Sequence, residues 1–261
     1  MGGKKQLWLA STNNGKAREV REILGPGWEI QTMKDLAGAP AVEETGKTFL
    51  ENARLKALAL SVLVDGWVLA DDSGLEVEAL GGAPGVLSAR YAGVPGDDAA
   101  NVRKLLAAMA GVPDAQRAAR FVCAMVLAHG DKVQGEFQGY WPGRIGMMPR
   151  GTHGFGYDPV FFPAGETRTA AELEAEEKNR VSHRGAGIKA GDRVSGRTGG
   201  DRKEITGLRQ RECPWMASSP TPRHDMIFRI NPMMSSRARR ARRSRGRGHG
   251  RSVPRFEFRI P

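Results

Sequence analysis

The chain has 261 residues, 40% of them hydrophobic, enough to fill one large or two small cores. Its formal charge of +11 is unevenly placed: residues 1–190 carry 22 Lys and Arg against 23 Asp and Glu, and residues 191–261 carry 18 against 6. A body near −1 with a tail near +12 excludes a basic nucleic-acid-binding domain from the part that has a core, and the pI of 10.1 describes the tail.

After Lys4 and Lys5 the apolar stretch is only LWLA, too short for a signal peptide. QLWLAS, residues 6–11, reads as a short buried strand, and TNNGK after it as a strand-to-helix turn. KAREVREIL then sets Ala17, Val20, Ile23 and Leu24 on one helical face with charges opposite, and Gly25-Pro26-Gly27 stops the helix. Thr48-Phe-Leu-Glu51 has the form of a capping box, with helical apolar spacing behind it to about Val64. WVLAD, ending at Asp71, reads as a central strand that finishes in two adjacent carboxylates, Asp71 and Asp72. Residues 99–109 predict a further helix. RFVCAMVLAH and KVQGEFQGYW predict two strands around a His129-Gly130-Asp131 turn. Thr169-Ala-Ala-Glu172 predicts a cap for a helix running to about Arg180.

Strands interleaved with helices, plus one hairpin, point to an α/β fold with a mixed central sheet flanked by helices. From residue 191 the sequence is rich in Arg, Gly and Ser without apolar period, so the expected division is a domain over 1–190 and a disordered tail over 191–261. The abruptness of the change is what a shifted reading frame or a fused tail would produce. Cys123 and Cys213 show no Cys-x-x-Cys or Cys/His spacing, which argues against zinc and a disulfide framework and fits a reducing cytoplasm. No apolar run approaches the roughly 18 residues of a membrane span.

Several residues have the right chemistry for a site. Asp71 and Asp72 read either as turn formers or as ligands of a hard cation, since ligands of open α/β sheets bind beyond the carboxyl ends of strands and Mg²⁺ takes carboxylate oxygens. Glu43-Glu44 reads either as a dipole-favouring pair before a helix or as a second metal ligand. STNNGK lacks the P-loop spacing but offers free backbone N–H groups and Lys16 to an anion. GTHGFGYDP, residues 151–159, gives close backbone approach and a ring, Phe155, that can stack on a base. EEKNRVSHRG contributes Lys178, His183 and Arg184, which also suit a plain helix end; the histidines lack metal-ligand spacing.

In order along the chain, STNNGKAREV, EETGKTFLENARLKA, ADDSGLEVEALGGAPGVLSARYAG, GTHGFGYDPVFF and TAAELEAEEKNRVSHRG resemble the inosine triphosphate pyrophosphatase family over residues 5–190. The resemblance implies Mg²⁺-dependent hydrolysis of ITP, dITP and XTP to the monophosphate and pyrophosphate, in a cleft between two lobes, by a cytoplasmic homodimer. It places the triphosphate on the loop Ser11, Thr12, Asn13, Asn14, Gly15 and Lys16, with Lys56 reaching the same phosphates. It makes Glu44 and Asp72 the magnesium ligands, Asp72 also the general base, and Ser73 a substrate contact. It sets the base against Phe155, Gly156, Tyr157 and Asp158, its 6-keto edge read by Lys178, His183 and Arg184. His153 stands where the family has a small residue, and after SHRG the family continues into an apolar helix where AGIKAGDRVSGRTGG is expected to break up. The competing function is nucleic-acid binding through the Arg-rich tail on an inactive scaffold; the tail's charge makes non-specific contact with nucleic acid expected in either case.

Overall fold

A computed structural model describes residues 4–195; the remainder of the predicted tail lies outside the described residues. Six strands form one sheet in the order β2-β1-β3-β4-β5-β6. β1 (Lys5–Leu9) pairs in parallel with β2 (Trp28–Thr32) and with β3 (Trp67–Val77), and α1 (Asn14–Leu24) makes the crossover between β1 and β2. β3 runs antiparallel to β4 (Ala118–His129), β4 to β5 (Lys132–Ile145), and β5 to the short β6 (Phe161–Pro163). The sheet is therefore mixed, and the long hairpin turns at Gly130-Asp131 as its sequence indicates.

Strand alternation sorts the core onto two faces. Leu7, Leu9, Leu69, Cys123 and Met125 pack with Ala17 and Val20 of α1 and with Ile188 of α5 (His183–Ser195). Ala10, Val68, Ala70, Val126 and Ala128 pack on the other face against Ala53, Ala57 and Leu60 of α2 (Phe49–Ser61). The Thr48/Glu51 capping box that opens α2 is present. A further cluster, built on Leu75, Phe121, Trp141 and Phe161, gathers Val102 and Leu105 of α3 (Asp98–Ala108) at the far ends of β3, β4 and β5. The two faces around β1 and β3 make one lobe and this further cluster the other, and a cleft of about 670 Å³ opens between them.

Three expectations are corrected. β3 does not end at the aspartates: its ladder to β1 stops at Leu9↔Leu69, while its ladder to β4 continues from Asp71↔Met125 and Asp72↔Ala124 to Val77↔Ala119. Thr169 and Glu172 do form a capping box, but it closes a single 3-10 turn, Ala170–Glu172; extended Leu173 and Glu174 break the chain before α4 (Ala175–Val181) starts afresh. The stretch after Arg184 is helix, and α5 crosses the expected boundary at 190. Its glycines carry it. Gly185 lies so close to the Asn179 carbonyl that a Cβ would overlap it, and Gly187 packs tightly on the Met125 side chain, so packing offsets the helix cost of about 1 kcal/mol per glycine.

The docking of α5 has an equally tight counterpart in the sheet. A Cβ on Gly139 of β5 would overlap the His183 carbonyl and crowd the Gly187 nitrogen, both backbone atoms. Gly139→Ala is expected to destabilise the domain by about 3 kcal/mol, the upper range for overpacking. Thermal denaturation checks this; a melting temperature within a degree of wild type would mean that α5 is free to shift.

Candidate functional site

Where the β1 ladder stops, β3 sends its two aspartates to opposite faces, Asp72 lining the cleft and Asp71 buried behind it. Asp71 faces α1 and α5. Its Oδ1 accepts from Lys16 Nζ at 2.9 Å, its Oδ2 from Arg184 Nε at 2.7 Å and from the Cys123 thiol at 3.4 Å. Burial alone would raise this carboxyl, but Arg184 and Lys16 outweigh it and hold it well below the usual carboxylate range. Burial and Asp71 push the Cys123 thiol well up, so Cys123 stays protonated.

Asp72 faces α2. Its Oδ1 accepts from Lys56 Nζ at 2.6 Å, and the same ammonium donates to Glu44 Oε1 at 3.1 Å and to the Asp71 carbonyl at 3.0 Å. Arg90 Nη1 donates to Glu44 Oε2 at 2.9 Å. Burial raises the Asp72 carboxyl, and Lys56 and Lys16 only partly offset it. Glu44, burial notwithstanding, is drawn down by Lys56 and Arg90. Lys56 is raised because Asp72 and Glu44 outweigh its own burial.

The loop of residues 11–16 joins β1 to α1 at the cleft floor. Ser11 Oγ accepts from the Asn13 amide, and Asn13 Oδ1 caps α1 by accepting from the Lys16 amide at 3.0 Å. The Asn13 side chain is thus engaged in the cap, while Ser11, Thr12, Asn13 and Lys16 line the cleft. Asn14 and Gly15 do not. Asn14 accepts from Lys34 Nζ at 2.7 Å, and Gly15 lies beneath the Phe155 ring, with no room for a Cβ.

Phe155 heads the opposite wall. Lys178 and Arg184 lie 5.1 and 5.8 Å from its ring centroid. Asp158 Oδ2 accepts from the Phe155 amide at 2.8 Å and from Lys178 Nζ at 2.5 Å; the Gly156 amide donates to Asp98 Oδ2, and the Tyr157 hydroxyl to the Ser88 carbonyl. Tyr157 belongs mainly to the α3 core. Ser73 Oγ accepts from Arg184 Nη2 at 2.9 Å. His183 is stacked on Phe121, centroids 4.9 Å apart, and its Nδ1 has no hydrogen-bond partner among the described residues. His153 stands off the cleft, Nδ1 at 3.2 Å from the Leu173 carbonyl.

Two residues of the site have no counterpart among the sequence-based candidates: Arg90, which lines the cleft, and Glu19, which lies behind it. Glu19 of α1 is buried on the helix face expected to be solvated, and accepts from Lys178 Nζ at 2.7 Å and from Arg184 Nη1. Burial would raise its carboxyl, but Arg184 and Lys178 lower it. Its position one turn after Lys16 is the only local signal. Its partners lie about 160 residues away in the chain, beyond the reach of any spacing rule.

Glu44 and Asp72 converge on one cationic nitrogen, so their oxygens can also converge on a hard dication, and two carboxylates completed by substrate phosphates are an ordinary Mg²⁺ donor set. Among the described residues no group of three or more His, Cys, Asp and Glu side chains forms a fuller cage. The described residues also contain no helix long and apolar enough to cross a membrane.

Burial, together with the neighbouring Arg184, pushes the His183 imidazole well below its usual value. The unfolded chain takes up a proton below about pH 6.5 that the folded protein refuses, so this group withdraws stability as pH falls through that value. His183→Phe keeps the stack on Phe121 and removes the titration. The melting temperature of wild type is therefore expected to drop more steeply than that of the variant between pH 7.5 and 5.5; parallel drops would refute a neutral buried imidazole.

The chain matches the model of the Ham1 family over residues 7–191. It is 44% identical over 186 residues to a Bacillus subtilis protein named dITP/XTP pyrophosphatase, the match covering 71% of this chain and 94% of that one. It is 48% identical over 185 residues to a Streptococcus agalactiae protein of the same name, of whose greater length it spans 57%. The structure of the Ham1 protein of Staphylococcus aureus superposes with a TM-score of 0.65 at 39% identity, over 74% of this chain and 98% of that one. With the family's fold present and the match extending from β1 into α5, the chain belongs to the Ham1 family.

Proposed function

We propose that this protein hydrolyses the non-canonical purine nucleoside triphosphates ITP, dITP and XTP to the monophosphate and pyrophosphate, with Mg²⁺. It is a nucleoside triphosphate pyrophosphatase, as its relatives are named. The observation that carries the reading is the polarity of one cleft: Phe155 with Lys178, His183 and Arg184 at one end, and Lys16, Lys56, Glu44 and Asp72 at the other.

At the first end the base stacks on Phe155. A 6-keto oxygen accepts from Lys178 or Arg184, which keep N–H groups unused among the described residues, where Lys178 makes two bonds to side chains and Arg184 three. The 6-amino group of ATP would set donor against donor, and a site built on such bonds rejects the wrong partner by about 10⁴. Because His183 is held neutral, it adds no charge there.

At the other end the Ser11–Lys16 loop, Lys16 and Lys56 hold the triphosphate, and Glu44 and Asp72 hold the metal. Magnesium, when bound, neutralises phosphate charge and favours ionisation of a coordinated water. Asp72 orients the attacking water and takes its proton, for which its raised carboxyl is suited. The water oxygen bonds to the α-phosphorus; the bond from that phosphorus to the bridging oxygen breaks, and pyrophosphate leaves with the electron pair. Asp71, tied to Lys16 and Arg184, keeps both cations in place and takes no part in proton transfer.

The working unit is read as a cytoplasmic homodimer. The tail, with a net charge near +12 over 191–261, adds weak, salt-sensitive contact with nucleic acid.

Pyrophosphate release from ITP, XTP, ATP and GTP, with and without Mg²⁺, tests the reading. ITP and XTP are expected to turn over only with Mg²⁺, and Asp72→Asn to lower the rate by about 10² or more. Turnover of ATP equal to ITP, or an Asp72→Asn variant as active as wild type, would sink it.

A further inference from the structure

Every cation named so far in the cleft is paired with one of its carboxylates, but Arg90 is the most exposed of them and has the most N–H donors unused among the described residues. The three N–H donors of Lys56 are all taken, by Glu44, Asp72 and the Asp71 carbonyl, so it meets a phosphate oxygen only by giving up one of those bonds. Lys16 spends two bonds on Asp71, and Lys178 is held between Glu19 and Asp158. Arg184 is fully buried among Asp71, Glu19 and Ser73. Arg90 differs: it lines the cleft, its side chain is 35% exposed, and of its five N–H donors one is used among the described residues, in the bond to Glu44.

The backbone that presents this guanidinium is, by contrast, pinned. Arg90 ends the 3-10 segment Gly85–Arg90, which lies so close on β3 that a Cβ on Gly74 would overlap the Ser88 hydroxyl. Ser88 Oγ accepts from the Leu75 amide at 2.9 Å and donates to the Gly85 carbonyl, and the Ser88 carbonyl accepts from Tyr157. On either side of Arg90, Asn101 of α3 donates to the Ala89 carbonyl and accepts from the Ala92 amide. A loosely engaged guanidinium on a rigidly held turn has the form of a group set to bind a ligand.

In the order of contacts Arg90 follows Asp72, Lys56 and Glu44, and so belongs to the phosphate end of the cleft. We propose that Arg90 binds the β- and γ-phosphates and holds the departing pyrophosphate, exchanging its bond to Glu44 for bonds to phosphate oxygens. The proposal rests on the pyrophosphatase reading. The leaving group carries away the electron pair of the broken bond, and a guanidinium meets two of its oxygens at once, which a lysine ammonium cannot do. Of the two cations on Glu44, Arg90 is the one that leaves with less disruption, because Lys56 is buried and also anchors Asp72.

The test is calorimetric binding of inorganic pyrophosphate and of IMP to the full chain at fixed excess Mg²⁺, for wild type, Arg90→Ala, Arg90→Lys and Glu44→Gln, with ITP turnover measured alongside. Arg90→Ala is expected to weaken pyrophosphate binding at least about tenfold, to leave IMP binding within about twofold, and to lower kcat/KM for ITP about 10²-fold; Arg90→Lys should fall between it and wild type. The binding arm does not need turnover, so the two failures are distinguishable: a wild type that binds pyrophosphate through Arg90 but leaves ITP intact would refute the enzymatic reading and with it the role of Arg90 in the reaction, whereas a wild type that turns over ITP while Arg90→Ala binds pyrophosphate unchanged would refute the proposal alone. Unchanged pyrophosphate affinity in Arg90→Ala, equal losses for pyrophosphate and IMP, or a Glu44→Gln variant that reproduces every effect would overturn it, the last by reducing Arg90 to a support for Glu44.

Discussion

The site depends on adjacent aspartates in a strand having opposite faces. Because β3 loses its parallel partner β1 at Leu69 but keeps β4, the two carboxylates are held firmly by one ladder while the cleft opens beyond the end of the other. From each starts a chain of alternating charge. Asp71 leads on one side to Lys16 and on the other through Arg184 and Glu19 to Lys178 and Asp158; Asp72 leads through Lys56 and Glu44 to Arg90. Three carboxylates face three cations in the first chain, and two face two in the second, so each sums to neutrality. Isolated, any of the buried members would be strongly penalised, and pairing is the condition for keeping them charged.

The two chains serve different ends. The first ties α1, α4, α5 and β3 together through groups almost without solvent contact, and Asp71 and Glu19 are both lowered by the cations between them. It is a fixed frame that leaves spare N–H groups of Lys178 and Arg184 beside Phe155. The second is wetter, with Glu44 and Arg90 reaching the cleft mouth, and its central lysine carries two carboxylates at once. An arriving triphosphate competes with those carboxylates for cations, which is less costly at the exposed end of a chain than in its buried middle.

Much of this is legible in the sequence wherever the information is local. The Thr48/Glu51 box, the hairpin at Gly130 and the helix of residues 98–108 follow from neighbours a few positions apart, and the structure has them. Alternation along a strand likewise sends Asp71 and Asp72 to opposite faces simply because they are adjacent. The strand's true end does not follow, because it is set by pairing with β4, some fifty residues on. Nor does α5: its glycines predict a weak helix, and only the close seats at Asn179 and Met125 explain why they are there. Glu19 is unreadable for the same reason, since a carboxylate on a helix looks solvated until α4 and α5 bring two cations over it.

Neutral sums also bear on selectivity. At the base end Lys178 is shared between the carboxylates of Glu19 and Asp158, and Arg184 between those of Glu19 and Asp71. Little net field remains there to attract a base by charge, so recognition at that end falls to hydrogen-bond polarity and stacking. The strong electrostatic pull on the substrate lies with the phosphates, which are common to every nucleoside triphosphate and carry no information about the base. Separating the two tasks along one cleft lets the phosphate end bind tightly without eroding discrimination at the other, since an interaction shared by all substrates cannot distinguish among them.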